Sequence, residues 1–112
     1  QRALELLGAG DLATAEATLG ALDEDHADDA DLLNLLAMVR LRAGAANEAA
    51  GIMERAVRAR PDDANLWFNG GIACAAASMP GGARKCFERA LELDPSHAGA
   101  RKRLASLGVA AR

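Results

Sequence analysis

The sequence predicts an all-α fold, a right-handed α-solenoid of stacked antiparallel helix pairs, and two observations carry this prediction. The first is an internal register of 34 residues, over which turn, alanine and proline positions recur. The second is composition, because 51% of the residues are hydrophobic, many of them alanine, while only 3% are aromatic. Closely packed helices suit that composition better than a sandwich or a barrel, which needs β-branched and aromatic side chains.

The register extends through three units of the chain. The positions that share the spacing are Gly10, Gly44 and Ser78; Ala15, Ala49 and Ala83; Ala56 and Ala90; and Pro61 and Pro95. Agreement is strongest between the second and third units. It is weakest in the first unit, where Leu22 and Ala27 replace the alanine and the proline. Three units in one register are hard to obtain by chance, so the sequence predicts a repeat protein.

The stretch 64–95 carries the most specific pattern. Its matching residues are Trp67, Gly71, Ala83, Phe87 and Pro95, at the spacing W-x2-L-G-x2-Y…A-x3-F…P. In this respect the chain resembles the tetratricopeptide repeat (TPR) family. Gly70 stands where leucine is usual and Cys74 where an aromatic residue is usual. Both changes remove volume, so we expect looser packing in this unit.

The resemblance implies about three TPR units and a C-terminal capping helix within a single domain, residues 1–112. Residues 1–29 form a partial first repeat, 30–63 the second, 64–97 the third, and 98–112 the capping helix. Because the chain begins inside a helical pattern, we expect it to be an excerpt of a longer protein. For the same reason no compartment follows from the sequence, and the cytoplasm is the default.

About seven helices are expected from the apolar spacing and the turn residues. They cover residues 1–9, 12–21, 30–43, 46–59, 64–77, 80–93 and 97–107. Asp28 or Asp29 is placed to cap the third helix, Asp62 or Asp63 the fifth, and Ser96 the last. Pro80 suits a first helical turn, where its missing N–H costs nothing.

The adjacent glycines Gly70 and Gly71 lie inside a predicted helix, where together they cost roughly 2 kcal/mol relative to alanines. Close approach of a second helix offsets such a cost. Alanines seven residues apart on the next helix could accept that approach, with Trp67 and Phe87 filling the space beside it. We therefore expect Gly71 to lie at a helix crossing.

No catalytic arrangement of side chains can be proposed, and we expect no cofactor and no metal. The acidic run 23–31 fails as a calcium loop because Asp28 stands where glycine is needed and Asn34 where glutamate is needed. His26 and His97 show no ligand spacing and are interpreted as surface residues. The longest apolar run, residues 72–77, is too short to span a membrane.

Charge is unevenly distributed. Residues 1–56 carry 11 acidic and 4 basic side chains, whereas residues 57–112 carry 5 and 9, for a net charge of −3. This asymmetry fits either unevenly charged solvated faces or head-to-tail association. With apolar Leu4, Leu6 and Leu7 at the truncated end, it leads us to expect weak homo-oligomerisation. The acidic balance and the lack of interleaved aromatics argue against nucleic acid as a partner.

Two cysteines, Cys74 and Cys86, fall on the two helices of one predicted pair. Their spacing matches no disulfide framework, so we interpret them as free, buried thiols. A disulfide between them is possible but is not indicated by the sequence.

The resemblance implies a non-catalytic scaffold whose concave face, built from the first helix of each pair, holds a peptide segment of a partner protein. On the first helix of each pair, here called the inner helix, residues three or four apart form one stripe. The 34-residue shift aligns the stripes of successive units. The predicted groove residues are Leu35, Met38, Arg42, Phe68, Asn69, Ile72 and Arg103. Since Trp67 occupies the core of its pair, Phe68 should point elsewhere. The alternative is that the apolar members of the stripe pack against neighbouring helices.

One subgroup of TPR domains clamps a C-terminal carboxylate with lysine, asparagine and arginine side chains in fixed positions. Asn69 and Arg103 match two of these positions, but Asn34 and Gly99 replace the lysines and Met38 the second asparagine. The clamp is therefore mostly absent.

Two other functions remain open. The array could be the accessory region of a larger enzyme, such as a glycosyltransferase, because Asn69 resembles one rung of the asparagine ladder in O-linked N-acetylglucosamine transferases. It could also be a self-assembling structural array.

Overall fold

A computed structural model describes residues 29–110, with side chains up to Leu107, and every regular element among these residues is an α-helix. The helices are α1 (Ala30–Arg42), α2 (Ala46–Ala59), α3 (Ala64–Ala76), α4 (Pro80–Leu93) and α5 (Ala98–Ala110). Each helix packs against the next along the chain, and α1 also contacts α3. The predicted all-α solenoid is thus confirmed. The expected helices over 1–9 and 12–21, the partial first repeat, His26 and the apolar end lie outside the described residues.

The first helix of each pair begins with the same side-chain cap. Asp29 Oδ1 accepts hydrogen bonds from the backbone N–H groups of Asp31 and Leu32, at 3.0 and 3.2 Å. Asp63, 34 residues later, caps α3 through Asn65 and Leu66. The sequence offered two adjacent aspartates as the cap of each of these helices, and the second of the two, Asp29 or Asp63, is the one that caps. These bonds satisfy donors that every helix start leaves free.

The second helix of each pair begins without a side-chain cap. The turn before it holds one residue in the left-handed region, Gly44 with φ of 84° and Ser78 with φ of 60°. Pro80 occupies the first turn of α4, as predicted. The connectors are short, so the chain reverses and the two helices of each pair run antiparallel.

The start of α5 differs from the prediction. His97, rather than Ser96, accepts from the helix, since its Nδ1 takes the N–H of Ala100 at 3.1 Å. The Ser96 N–H and hydroxyl donate to Asp94 instead. Because Nδ1 is an acceptor, Nε2 carries the proton and donates to Asn65 Oδ1 at 3.0 Å. His97 is thus a half-buried structural residue and not the surface histidine expected from the sequence.

The buried side chains form two clusters that α3 joins. The first lies between α1, α2 and α3 and includes Leu33, Val39 and Met53. The second surrounds Phe87, where α4 meets α3 and α5. Trp67 contacts both clusters, and its indole N–H donates to the carbonyl oxygen of Pro61 at 2.8 Å. One side chain therefore links consecutive repeats.

Gly71 lies at a helix crossing, as predicted. A Cβ atom there would stand 2.6 Å from Phe87 Cδ1 and 2.7 Å from Phe87 Cζ, far inside contact distance. The Phe87 ring thus occupies the space that a side chain would need. Gly70 is different, because its nearest neighbours, Cys86 Sγ at 3.5 Å and Met53 Cβ at 3.8 Å, are at ordinary contact distance.

Candidate functional site

The predicted groove residues lie on α1, α3 and α5, the first helices of successive units. Residues 34 apart stand at the same level of these helices, so Leu35, Asn69 and Arg103 share one level. Met38 and Ile72 share a second level, almost one turn further towards the C-terminal ends. Arg42 lies seven residues beyond Leu35, which is about 10 Å along the axis. The stripe therefore runs across the array at two levels, with Arg42 set apart.

Two asparagines connect the inner helices. Asn69 Nδ2 on α3 donates to Asn34 Oδ1 on α1 over 3.0 Å, and both side chains are half-buried. Both side-chain N–H groups of Asn34 and the side-chain carbonyl oxygen of Asn69 have no partner among the described residues. The bond orients both amides while leaving donor and acceptor capacity beside it. The sequence placed Asn69 in the predicted groove but did not indicate that it pairs with Asn34.

Phe68 points towards α4 and the start of α5. Its ring centroid lies 5.8 Å from that of Phe87 and 4.7 Å from that of His97. A Cβ atom at Gly99 would stand 3.1 Å from the Phe68 ring, so α5 approaches closely there. Phe68 is nevertheless only half-buried. Contrary to the expectation from the sequence, Phe68 does not point away from the core of its own pair, because it packs against the second cluster, around Phe87 of α4.

The remaining apolar members divide by exposure. Leu35 packs against the first cluster and Ile72 against the second, and both are half-buried. Met38 is exposed over 37% of its surface, one of two large hydrophobic residues exposed to this degree among the described residues. Met38 is thus the apolar member of the stripe that is most available to a ligand.

Basic side chains border the stripe on α5. Arg101, Lys102 and Arg103 are all exposed. Arg101 donates to the carbonyl oxygen of Pro95, which ties it to the start of its own helix. Arg42, at the end of α1, is also exposed. The predicted stripe therefore combines a paired amide, one exposed thioether and cationic side chains.

A second concave feature, not expected from the sequence, lies between α2 and α4. It is a cleft of about 610 Å³, whose floor is formed by Trp67, Gly70 and Cys74 of α3. Cys86 lies in its wall. The sequence did contain a feature that indicates this cleft, since Gly70 and Cys74 of α3 replace the usual leucine and aromatic residue. The side-chain volume lost at these two positions opens the cleft.

The two cysteines are free and half-buried, which agrees with the expectation of unpaired thiols. Burial raises the pKa of the Cys74 thiol, and a hydrogen bond from Cys86 opposes that rise. Burial, together with the neighbouring Cys74, raises the pKa of Cys86 to about 12. Both side chains are therefore thiols at neutral pH.

Across residues 29–110, no group of three or more His, Cys, Asp or Glu side chains is arranged to hold a metal ion. None of the helices in this part of the chain combines the length and the apolar character that a membrane crossing requires.

The antiparallel helix pairs repeat every 34 residues, Gly71 packs under the Phe87 ring, and the caps Asp29 and Asp63 lie one repeat apart. These features define a helical repeat protein. A tetratricopeptide repeat family model matches residues 6–68, more than half of the sequence. The chain belongs to the tetratricopeptide repeat family. No curated protein sequence gave a match.

Among solved structures, the first TPR of Spaghetti (RPAP3) bound to the HSP90 peptide SRMEEVD superposes with a TM-score of 0.88 at 20% identity. That alignment covers 97% of this chain and 86% of the other. MamA from Desulfovibrio magneticus RS-1 superposes with a TM-score of 0.85 at 20% identity, over 96% of this chain and 60% of MamA. At these identities the likeness bears on the fold alone.

A mutant O-GlcNAc transferase of Thermobaculum terrenum superposes with a TM-score of 0.79 at 26% identity. The match covers 94% of this chain but only 20% of the transferase. The chain thus corresponds to a small part of that enzyme's length.

Proposed function

We propose that the domain is a non-catalytic scaffold that binds an extended peptide segment of a partner protein across α1, α3 and α5. The observation that carries this proposal is the Asn69–Asn34 hydrogen bond. It holds two amides in place on neighbouring inner helices, so their remaining donor and acceptor can pair with a peptide backbone without first losing side-chain freedom. Support comes also from the Spaghetti structure, a domain of the same fold that carries an HSP90 peptide.

Side-chain selectivity in this proposal comes from Met38 and the basic residues. Exposed Met38 adapts its shape to an apolar anchor. Arg103, level with Asn69, attracts an acidic group, and Arg42 extends the positive surface along α1. Leu35, Phe68 and Ile72 contribute the exposed part of their surfaces while they hold the helices together. The peptide partner is therefore apolar and acidic in character.

The test begins with a random peptide library displayed on phage, from which binders to the folded chain are selected. Affinities of the selected peptides are measured by calorimetry for Asn69→Ala combined with Met38→Glu. The matched control is Met79→Glu, because Met79 is exposed to a similar extent, 41% against 37%, but lies at the start of α4. Helicity of all variants is verified by circular dichroism.

Peptides with apolar and acidic residues should be enriched, and the double variant should bind them at least about tenfold more weakly, a loss near 1.4 kcal/mol. Binding to Met79→Glu should be unchanged. Equal affinity of the double variant and the parent chain would place the peptide elsewhere. Enrichment of basic peptides would contradict the assigned role of the arginines.

The second candidate function is that of an accessory region in a glycosyltransferase. The likeness to the O-GlcNAc transferase favours it, as does the presence of two asparagines, not one, on the inner face. Sequencing the coding region on both sides of this chain is the test. A glycosyltransferase domain in the same reading frame would support this function, and flanking sequence without any catalytic domain would reject it. Measurement of mass in solution against concentration separates both functions from a self-assembling array.

A further inference from the structure

Cys74 and Cys86 each face a glycine of the neighbouring helix. The position of a Cβ atom on Gly82 is 3.3 Å from Cys74 Sγ, and that of a Cβ atom on Gly70 is 3.5 Å from Cys86 Sγ. Each sulfur therefore fills the space that a missing side chain leaves. The four residues form a two-by-two arrangement on α3 and α4, with the cysteines on one diagonal and the glycines on the other.

The diagonal brings the two sulfurs towards each other. Cys74 lies one turn beyond Gly70 on α3, and Cys86 lies one turn beyond Gly82 on α4. In any helix the Cα–Cβ bond tilts towards the N-terminus. Because α3 and α4 are antiparallel, the two cysteine side chains lean towards the same point between the helices.

We propose that Cys74 and Cys86 form a dithiol site, which a small anionic disulfide oxidises to an intramolecular disulfide that joins α3 to α4. Both sulfurs line the cleft between α2 and α4, so the site is accessible from solvent. The cleft, at about 610 Å³, admits a small disulfide. Lys85, which also lines it, attracts the carboxylates of a compound such as oxidised glutathione, whereas Arg58 is paired with Glu54, the one acidic residue of the lining, over 2.9 Å.

The reaction is two successive thiol–disulfide exchanges. The Cys74 thiolate attacks one sulfur of the small disulfide, forms a mixed disulfide and releases one small thiolate. The Cys86 thiolate then attacks the Cys74 sulfur, which closes the Cys74–Cys86 bond and releases the second small thiolate. The two protons lost by the cysteines pass to these thiolates. The protein is oxidised by two electrons and the small disulfide is reduced to two thiols.

Geometry and environment assign the order of attack. Both cysteines line the cleft, and the neighbouring Cys86 counteracts the rise in the pKa of Cys74 that burial causes, which favours the Cys74 thiolate. Cys86 is the more strongly buried thiol, and the neighbouring Cys74 raises its pKa further, so it acts second. Glu54 on α2 opposes ionisation of Cys74, and Arg58 and Lys85 are the cations that line the same cleft.

The experiment incubates the folded chain with oxidised and reduced glutathione, quenches it with N-ethylmaleimide and measures the intact mass. We expect a monomer lighter than the reduced chain by two hydrogen atoms, with no maleimide added. Cys74→Ser and Cys86→Ser serve as matched variants, after circular dichroism has verified their helicity. Neither variant can give this product, and each should carry glutathione or maleimide on its remaining cysteine.

Glutathione on both cysteines of the parent chain, a disulfide between two chains, or two maleimide groups after incubation would each overturn the proposal. The order of attack is tested separately by the rate of glutathione addition in the single variants. Cys86→Ser should react at least about tenfold faster than Cys74→Ser, because the thiol that remains, Cys74, is the less buried of the two and therefore the more ionised. The reverse order would overturn the assignment of Cys74 as the attacking thiol.

Discussion

Gly71 has a role that its neighbour Gly70 does not share. The Phe87 ring lies against the backbone at Gly71, whereas Gly70 faces Cys86 and Met53 at ordinary contact distance. Phe87 is fully buried, so its ring has little freedom to move aside. The Phe87 ring therefore requires a glycine at position 71, whereas position 70 has room for a Cβ atom.

Gly71→Ala should lower the free energy of unfolding by about 1–3 kcal/mol, since overpacking against a buried ring outweighs the better helix propensity of alanine. Gly70→Ala is the matched control and should raise it by about 0.5–1 kcal/mol. Urea unfolding followed by circular dichroism measures both variants. A Gly71→Ala chain as stable as the parent would show that the ring is not fixed at this crossing.

Ser78 is, among the described residues other than glycine, the one with a positive φ. Left-handed backbone costs a non-glycine residue roughly 1 kcal/mol. Ser78→Gly should therefore raise the free energy of unfolding by about 1 kcal/mol, and Gly44→Ser, at the equivalent turn, should lower it by a similar amount. No atom lies within 4 Å of a Cβ at Gly44, so conformation alone decides the second change. Thermal melts in which both variants shift in the same direction would contradict this explanation.

Among the helices, the 34-residue repeat is clearest at the first residues of α1 and α3. Asp29 and Asp63 make equivalent pairs of hydrogen bonds, while α2 and α4 have no such cap. The first helix of each pair thus begins at a fixed residue. The second helix depends on its turn and on packing for its position.

Asp63→Ala should destabilise the domain by about 1 kcal/mol, because two N–H groups at the start of α3 lose their acceptor. Asp62→Ala is the control, since Asp62 is exposed and is not the residue that caps α3. Denaturant titration of the two variants at one pH gives the difference. A larger loss for Asp62→Ala would show that the cap has been assigned to the wrong residue.

The elements follow closely from local sequence, and the site does so less well. Aspartate caps, Pro80 and the glycine turn are local signals, so α1 to α4 were predicted within a residue of their observed bounds. Phe68 illustrates the limit, because its contacts with His97 and Gly99 depend on how closely α5 approaches, which no local pattern encodes. The Asn34–Asn69 bond likewise joins residues 35 apart and not 34, so a strict repeat alignment does not pair them.

At the scale of the whole molecule, the described helices carry two surfaces of different chemistry. The face of α1, α3 and α5 presents oriented amides, Met38 and basic side chains. The cleft between α2 and α4 presents two thiols among small, apolar and charged residues. Helix α3 contributes to both surfaces, because Asn69 lies on the first and the adjacent Gly70 lines the cleft. Variants of these two neighbouring residues therefore examine the proposed peptide binding and the proposed thiol oxidation separately.

Peptide binding on the inner face is tested directly by an NMR titration of the isotope-labelled chain with a peptide selected from the library. We expect the side-chain amide resonances of Asn34 and Asn69 and the methyl resonance of Met38 to shift most, with the Met79 methyl unchanged. Those shifts would place the ligand across α1 and α3. Shifts confined to residues of the α2–α4 cleft, such as Lys85 and Met79, would contradict the claim and assign peptide binding to the opposite surface.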